Sequence, residues 1–123
     1  MTQLILISPT PVLTQLRAHE AEGIGISSIS VAELYFGVSK SGSARNLAAL
    51  QQFLEPLEIA DFDLNAAQVY GTLRYTLERL GAPIGPLGTQ IAAHALALEV
   101  TLVTNNVREF ARVSGLNLIN WAE

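Results

Sequence analysis

The side chains that could do chemistry in this sequence gather in three short segments. Ser27 to Glu33 carries three serines and the Glu33 carboxylate. Leu87 to Thr89 is a Leu-Gly-Thr step, and Thr104 to Glu109 holds Thr104, Asn105, Asn106 and the Glu109 carboxylate. Oxygen donors of this kind suit a hard divalent cation or a phosphate. Cysteine is absent, which removes disulfides and thiolate ligands and fits a reducing cytoplasm.

Each residue also has a plainer reading. Ser30-Val31-Ala32-Glu33 has capping-box spacing, so Glu33 can simply satisfy helix donors. Asn105 and Asn106 can shape a turn. Glu109 can be a solvated neighbour of Arg108 and Arg112, and Thr104 can simply end its strand. His94, among alanines and leucines, reads as packed or surface histidine rather than a ligand. Arg74 and Arg79, with Lys40 and Arg45, either flank a cleft and touch phosphate or are solvated charge.

The elements that must position these groups follow from periodicity and punctuation. Thr10-Pro11 opens a helix that stops before Gly23. Ile24 to Ser27 reads as a strand, followed by a helix through Ala32, Leu34, Tyr35 and Val38. Leu47, Leu50, Phe53, Leu54 and Leu57 keep helical period until Pro56. Glu58 to Phe62 reads as a strand, and Asp63 caps a helix with Val69, Tyr70, Leu73, Leu77 and Leu80 inward. A loop at Ile84 to Leu87 feeds a helix from about Thr89 to Leu98. Val100 to Thr104 is a strand, a short helical stretch runs to Val113, and Leu116 to Ile119 is the last strand. Strands alternating with helices predict an α/β fold: a parallel sheet with helices on both faces and its site at the carboxyl ends of the strands.

The 123 residues suit one domain spanning 1–123, and 50% hydrophobic against 15% charged content predicts a real core. No segment approaches a membrane span, so a soluble, cytoplasmic protein is expected. Net charge is −4, from seven basic and eleven acidic residues, so any nucleic-acid contact needs local arginines or bound metal, and a partner with a basic segment is as plausible.

The same three segments carry a family likeness. Ile26-Ser27-Ser28-Ile29-Ser30-Val31-Ala32-Glu33-Leu34 resembles the second motif of VapC-type PIN domains. Ile84 to Ala95 is similar to their third motif, and Val103 to Phe110 resembles the fourth. Gly115-Leu116 through Trp121 matches the family's usual ending, and the likeness runs from about Pro11 onward. The resemblance implies a PIN-like fold and a toxin of a toxin–antitoxin pair. It implies an endoribonuclease that uses Mg²⁺ or Mn²⁺ to cut structured RNA such as tRNA, forms a homodimer, and is silenced by a cognate VapB-like antitoxin. The implied catalytic residues are Glu33, Thr104 and Asn106, with Glu33 and Asn106 as metal ligands and Glu109 nearby as a helper; Arg74, Arg79 and Lys40 are candidate substrate contacts by their charge.

Two departures stand out. The family's first strand ends in an aspartate, whereas this chain begins Met1-Thr2-Gln3-Leu4-Ile5-Leu6-Ile7-Ser8, and its first aspartate is Asp61. Either the opening is a remnant of the first helix, with the strand lost, or Leu4 to Ile7 is the strand, with Ser8 at the aspartate's position. At the third motif Gly88 stands where the family has aspartate. The expectation is a chain that is inactive or slowed by orders of magnitude. The alternative function is a degenerate toxin that acts only as an antitoxin-binding dimerisation module, through helical grooves that outlive the acids.

Overall fold

A computed structural model of the chain describes residues 5–7 by their backbone, together with 24–104 and 106–120. Within them run β1 (Ile5–Ile7), β2 (Ile24–Ser27), α1 (Ser28–Ser41), α2 (Ala44–Leu54), β3 (Glu58–Ala60), α3 (Leu64–Arg79), α4 (Pro86–Leu98), β4 (Thr101–Val103), α5 (Val107–Phe110) and β5 (Leu118–Ile119). The strands form one sheet in the order β3-β2-β1-β4-β5, and every neighbouring pair is parallel. The predicted α/β class is therefore the observed one.

The N-terminal alternative resolves in favour of a strand. Ile5, Leu6 and Ile7 pair with Ile24, Gly25 and Ile26 on one side and with Thr101, Leu102 and Val103 on the other. The apolar run thus fills the middle of the sheet, where a gap would have left two rows of backbone groups unpaired. Ser8, the helix expected after Thr10, Asn105 and Trp121 lie outside the described residues.

Alternation along the strands splits the core in two. Ile24, Ile26 and Val103 pack with Leu50 and Leu54, and with Val31, Leu34 and Val38 of α1. Leu102, one residue from Val103, packs instead with Leu77, Ile91, Ala92 and Ala95 of α3 and α4. Adjacent residues of β4 thus feed opposite sides, and helices cover both.

Capping chemistry decides where the helices begin. Ser27, not Ser30, caps α1: its Oγ accepts the Ile29 N–H at 3.1 Å. The capping-box reading of Ser30 and Glu33 is therefore corrected, since a serine closer to the strand end already satisfies the first turn. α4 likewise starts at Pro86 rather than Thr89, because proline fits the first helical position and its missing N–H is no loss there. Gly88 consequently lies inside the first turn and is not the cap. Asp63 caps α3 as expected, accepting from Ala66 N at 3.0 Å. Leu80, expected inward, is 72% exposed, because it follows the last helical residue of α3.

Candidate active site

Chain order in the sheet locates the crevice. From β1 the chain steps outward through β2 and β3, then returns with β4 on the opposite side of β1. In open parallel sheets ligands bind at the carboxyl ends of the strands where the order reverses, here between β1 and β4. Thr104 is the first residue beyond β4, and α1 leaves β2 on the far side of β1.

The Thr104 to Glu109 segment is held by its own polar groups. Thr104 is buried; its N–H bonds the Ile119 carbonyl at 3.0 Å, and its Oγ1 accepts the Asn106 N–H at 3.0 Å. That hydroxyl therefore shapes the turn into α5. Asn106 Nδ2 donates to Glu109 Oε2 at 3.0 Å, a charge-assisted bond that aims the carboxylate. Glu109 pairs with this amide rather than with Arg108 or Arg112. The second carboxylate oxygen faces α4: a Cβ placed on Gly88 would lie 2.9 Å from Glu109 Oε1. Arg112 Nη1 donates to the Pro83 carbonyl at 2.8 Å and ties this segment to the loop leading into α4. Sequence reasoning did not single out that clamp, which no motif signals.

Glu33 is presented differently. It projects from α1, exposed, and takes no part in capping. No hydrogen bond or ion pair ties Glu33 to Thr104, Asn106 or Glu109 among the described residues. Nor is there, among those residues, a group of three or more Asp, Glu, His or Cys side chains that could hold a metal ion. The donors are all oxygens, so the set fits Mg²⁺ or Mn²⁺ in kind while remaining short of carboxylates.

The basic residues are partly committed. Arg74 Nε bonds Glu78 Oε2 at 2.9 Å and its Nη1 donates to the Tyr70 hydroxyl at 3.0 Å. The same arginine lines a cavity of about 120 Å³ with Ile84, Pro86 and Thr89, beside the first turn of α4. Arg79 lies over the Tyr75 ring, 5.8 Å from its centre, and Lys40 stands exposed in the last turn of α1.

A buried polar pair lies at the base of α1. His94 Nδ1 and Ser27 Oγ are 2.8 Å apart, and both residues are almost fully buried. Burial holds the His94 imidazole below its ordinary range, while the Asp61 main chain and the Asp63 and Asp61 carboxylates pull the other way. With 67 residues between the partners, no local pattern could have paired them.

With this geometry in place, relatives become informative. The PIN-domain family matches residues 8–116. A ribonuclease VapC2 of Rickettsia felis is 50% identical over 99 residues, covering 80% of this chain and 74% of its own. The chain belongs to the VapC family of PIN domains. A tRNA(fMet)-specific endonuclease VapC of Salmonella typhimurium is 43% identical over 97 residues, covering 78% of this PIN domain and 74% of its own length. The crystal structure of VapBC2 from Rickettsia felis bound to a promoter DNA fragment superimposes with a TM-score of 0.88. The identity there is 38%, and the match covers 97% of this chain and 99% of that one. DNA-bound VapBC from Salmonella typhimurium gives 0.86 at 34% identity, covering 98% and 99%. No helix among the described residues of this PIN domain is long and apolar enough to cross a membrane.

Proposed function

We propose that this PIN domain is the toxin of a VapBC-type pair. By kinship it is an Mg²⁺- or Mn²⁺-dependent endoribonuclease for structured RNA such as tRNA, with cleavage impaired by its missing acids. The observation that carries this reading is the pairing of Gly88 with Glu109. The third-motif position points its absent side chain at the one carboxylate that the fourth segment supplies. Glu33, Asn106 and Glu109 are the residues that would hold the ion, and Thr104 completes the catalytic set. When bound, the ion activates water and offsets charge on the scissile phosphate.

The protein's own groups prepare for that. Asn106 fixes the Glu109 rotamer, Thr104 fixes the turn that carries Asn106, and Arg112 holds the loop that leads into α4 and Gly88. Arg74, beside the first turn of α4, contacts substrate phosphate, with Arg79 and Lys40 as outer contacts. One or two carboxylates hold Mg²⁺ weakly unless substrate phosphate adds ligands, which is the physical ground for impairment. The solved VapBC complexes support a VapB-like antitoxin as partner, and a homodimer is proposed by kinship alone.

A second reading, antitoxin binding and dimerisation without catalysis, is favoured by the apolar side chains left on the surface. Tyr35 and Phe36 on α1 are 40% and 62% exposed, and Leu47 on α2 is 37% exposed. These are independent of the acids. Cleavage of a mixed tRNA pool in Mg²⁺ or Mn²⁺ separates the readings, with Gly88→Asp and an EDTA control alongside. The proposal expects slow or no cutting by the chain and metal-dependent cutting by Gly88→Asp that exceeds it. Silence from both, with antitoxin capture retained, establishes the second reading.

A further inference from the structure

Beneath the candidate site lies a polar connection that the chemistry above does not use. Ser27 ends β2 and caps α1, the helix that presents Glu33. Its hydroxyl oxygen accepts the Ile29 N–H at 3.1 Å and stands 2.8 Å from Nδ1 of His94, in the middle of α4. Ser28, the next residue, accepts the Phe62 N–H at 3.0 Å on its own Oγ. Phe62 in turn meets the His94 ring edge-on, with centres 5.3 Å apart and planes at 80°. The first two serines at the α1 entrance and the α4 histidine therefore form a closed set of contacts around Phe62.

Of that set, Ser27 and His94 are 0% and 1% exposed, Ser28 and Phe62 are half-buried, and Ser30 beside them is 1% exposed. A buried hydroxyl hydrogen requires an acceptor. Because Ser27 Oγ already accepts from Ile29, the arrangement that satisfies its hydrogen has Oγ–H donating to an unprotonated Nδ1, which leaves the proton of the neutral ring on Nε2. Among the described residues neither Nε2 nor Ser30 Oγ, one turn before Glu33, makes a well-formed hydrogen bond, although the Asp61 main chain is near enough to act on the ring. A leucine there would spare the unmatched Nε2 but strand the buried Ser27 hydroxyl hydrogen, so the serine and the histidine are matched to each other.

We infer that His94 is a positioning residue for Glu33: by fixing the Ser27 hydroxyl it sets the first turn of α1 and hence where the Glu33 carboxylate points. This rests on the reading of Glu33 as a metal ligand. Groups that orient ligands in this way typically change metal affinity by about 10- to 100-fold when removed.

The test is a double-mutant cycle read by Mn²⁺ affinity, with free Mn²⁺ followed by electron paramagnetic resonance, in the Gly88→Asp protein so that binding is strong enough to titrate. His94→Leu should weaken Mn²⁺ about tenfold when Glu33 is present and leave it unchanged in Glu33→Gln. His94→Asn, whose amide oxygen replaces Nδ1, should recover most of the loss. Should His94→Leu give no cooperative melt, Ser27→Ala cuts the same bond from the hydroxyl end and takes its place in the cycle. Equal weakening with and without Glu33 would mean general loosening and would overturn the inference, as would no weakening at all. If Glu33→Gln alone leaves Mn²⁺ affinity intact, the metal-ligand reading of Glu33 fails first, and the inference falls with it.

Discussion

A carboxylate restored at position 88 would start from a Cβ only 2.9 Å from Glu109 Oε1. Glu109 is the far end of a flexible side chain, so it can move aside, but two carboxylates left in one site repel. Gly88→Asp should therefore melt earlier than the parent in EDTA and gain more from added Mn²⁺. A ligand at a hundred times its dissociation constant stabilises by about 2.7 kcal/mol, enough to see in a thermal melt. Equal Mn²⁺ response from both proteins would show that position 88 lies outside the metal site. His94 makes stability depend on pH. Its imidazole, ordinarily near 6.5, is lowered in the folded protein by burial, against the opposing pull of Asp61 and Asp63. The unfolded chain therefore takes up the proton first, so stability is full above about pH 6.5 and falls as pH drops below it. Urea midpoints at about pH 7.5 and pH 5.5 should differ, and His94→Asn should flatten that difference. At Glu33 the sequence was ambiguous for a physical reason: Ser27, Ser28 and Ser30 are all competent caps, and only the end of β2 decides among them. Once Ser27 takes that role, the Glu33 carboxylate has no capping duty.

Elements were more legible than side-chain partners. Strand and helix order follow from hydrophobic period and from Gly and Pro at the breaks, since both act within a few residues. Ends moved where a cap competed, as at Ser27 and Pro86, and strands came out shorter than their apolar runs because pairing partners limit them. The end of α4 shows a cost the sequence hides. Glu99 adopts φ +57° at the helix end, a left-handed conformation in which only glycine is unstrained. Glu99→Gly should stabilise by roughly 0.5–1 kcal/mol, the left-handed penalty less the added flexibility of the unfolded chain. Chemical denaturation would check this, and a lower midpoint would contradict it. The same position is far along α4 from Gly88, so Mn²⁺ response should not change with it.

Among the described residues the molecule keeps the parallel sheet and flanking helices of a PIN domain, and on the proposed reading its site holds few carboxylates. The run Leu4 to Ile7 looked ambiguous as sequence because four apolar residues suit strand or helix equally. Two flanking parallel strands decide it, and β1 takes the centre of the sheet. The motifs were readable in order, and the fold brings the third and fourth together at Gly88 and Glu109. Spacing could not foretell that Asn106 would aim Glu109, or that Arg112 would brace the loop before α4, because those contacts exist only after the sheet forms. If the proposed site reading holds, a PIN scaffold with few acids at that site predicts a protein that cuts RNA poorly. The most direct test is the rate of tRNA(fMet) cleavage by the unaltered chain in saturating Mn²⁺, measured beside the tRNA(fMet)-specific endonuclease VapC of Salmonella typhimurium and repeated in EDTA. Cutting at least about a hundredfold slower than that relative is the expected result. Cutting at the relative's rate, abolished by EDTA, would contradict the account and show that Glu33, Asn106 and Glu109 suffice.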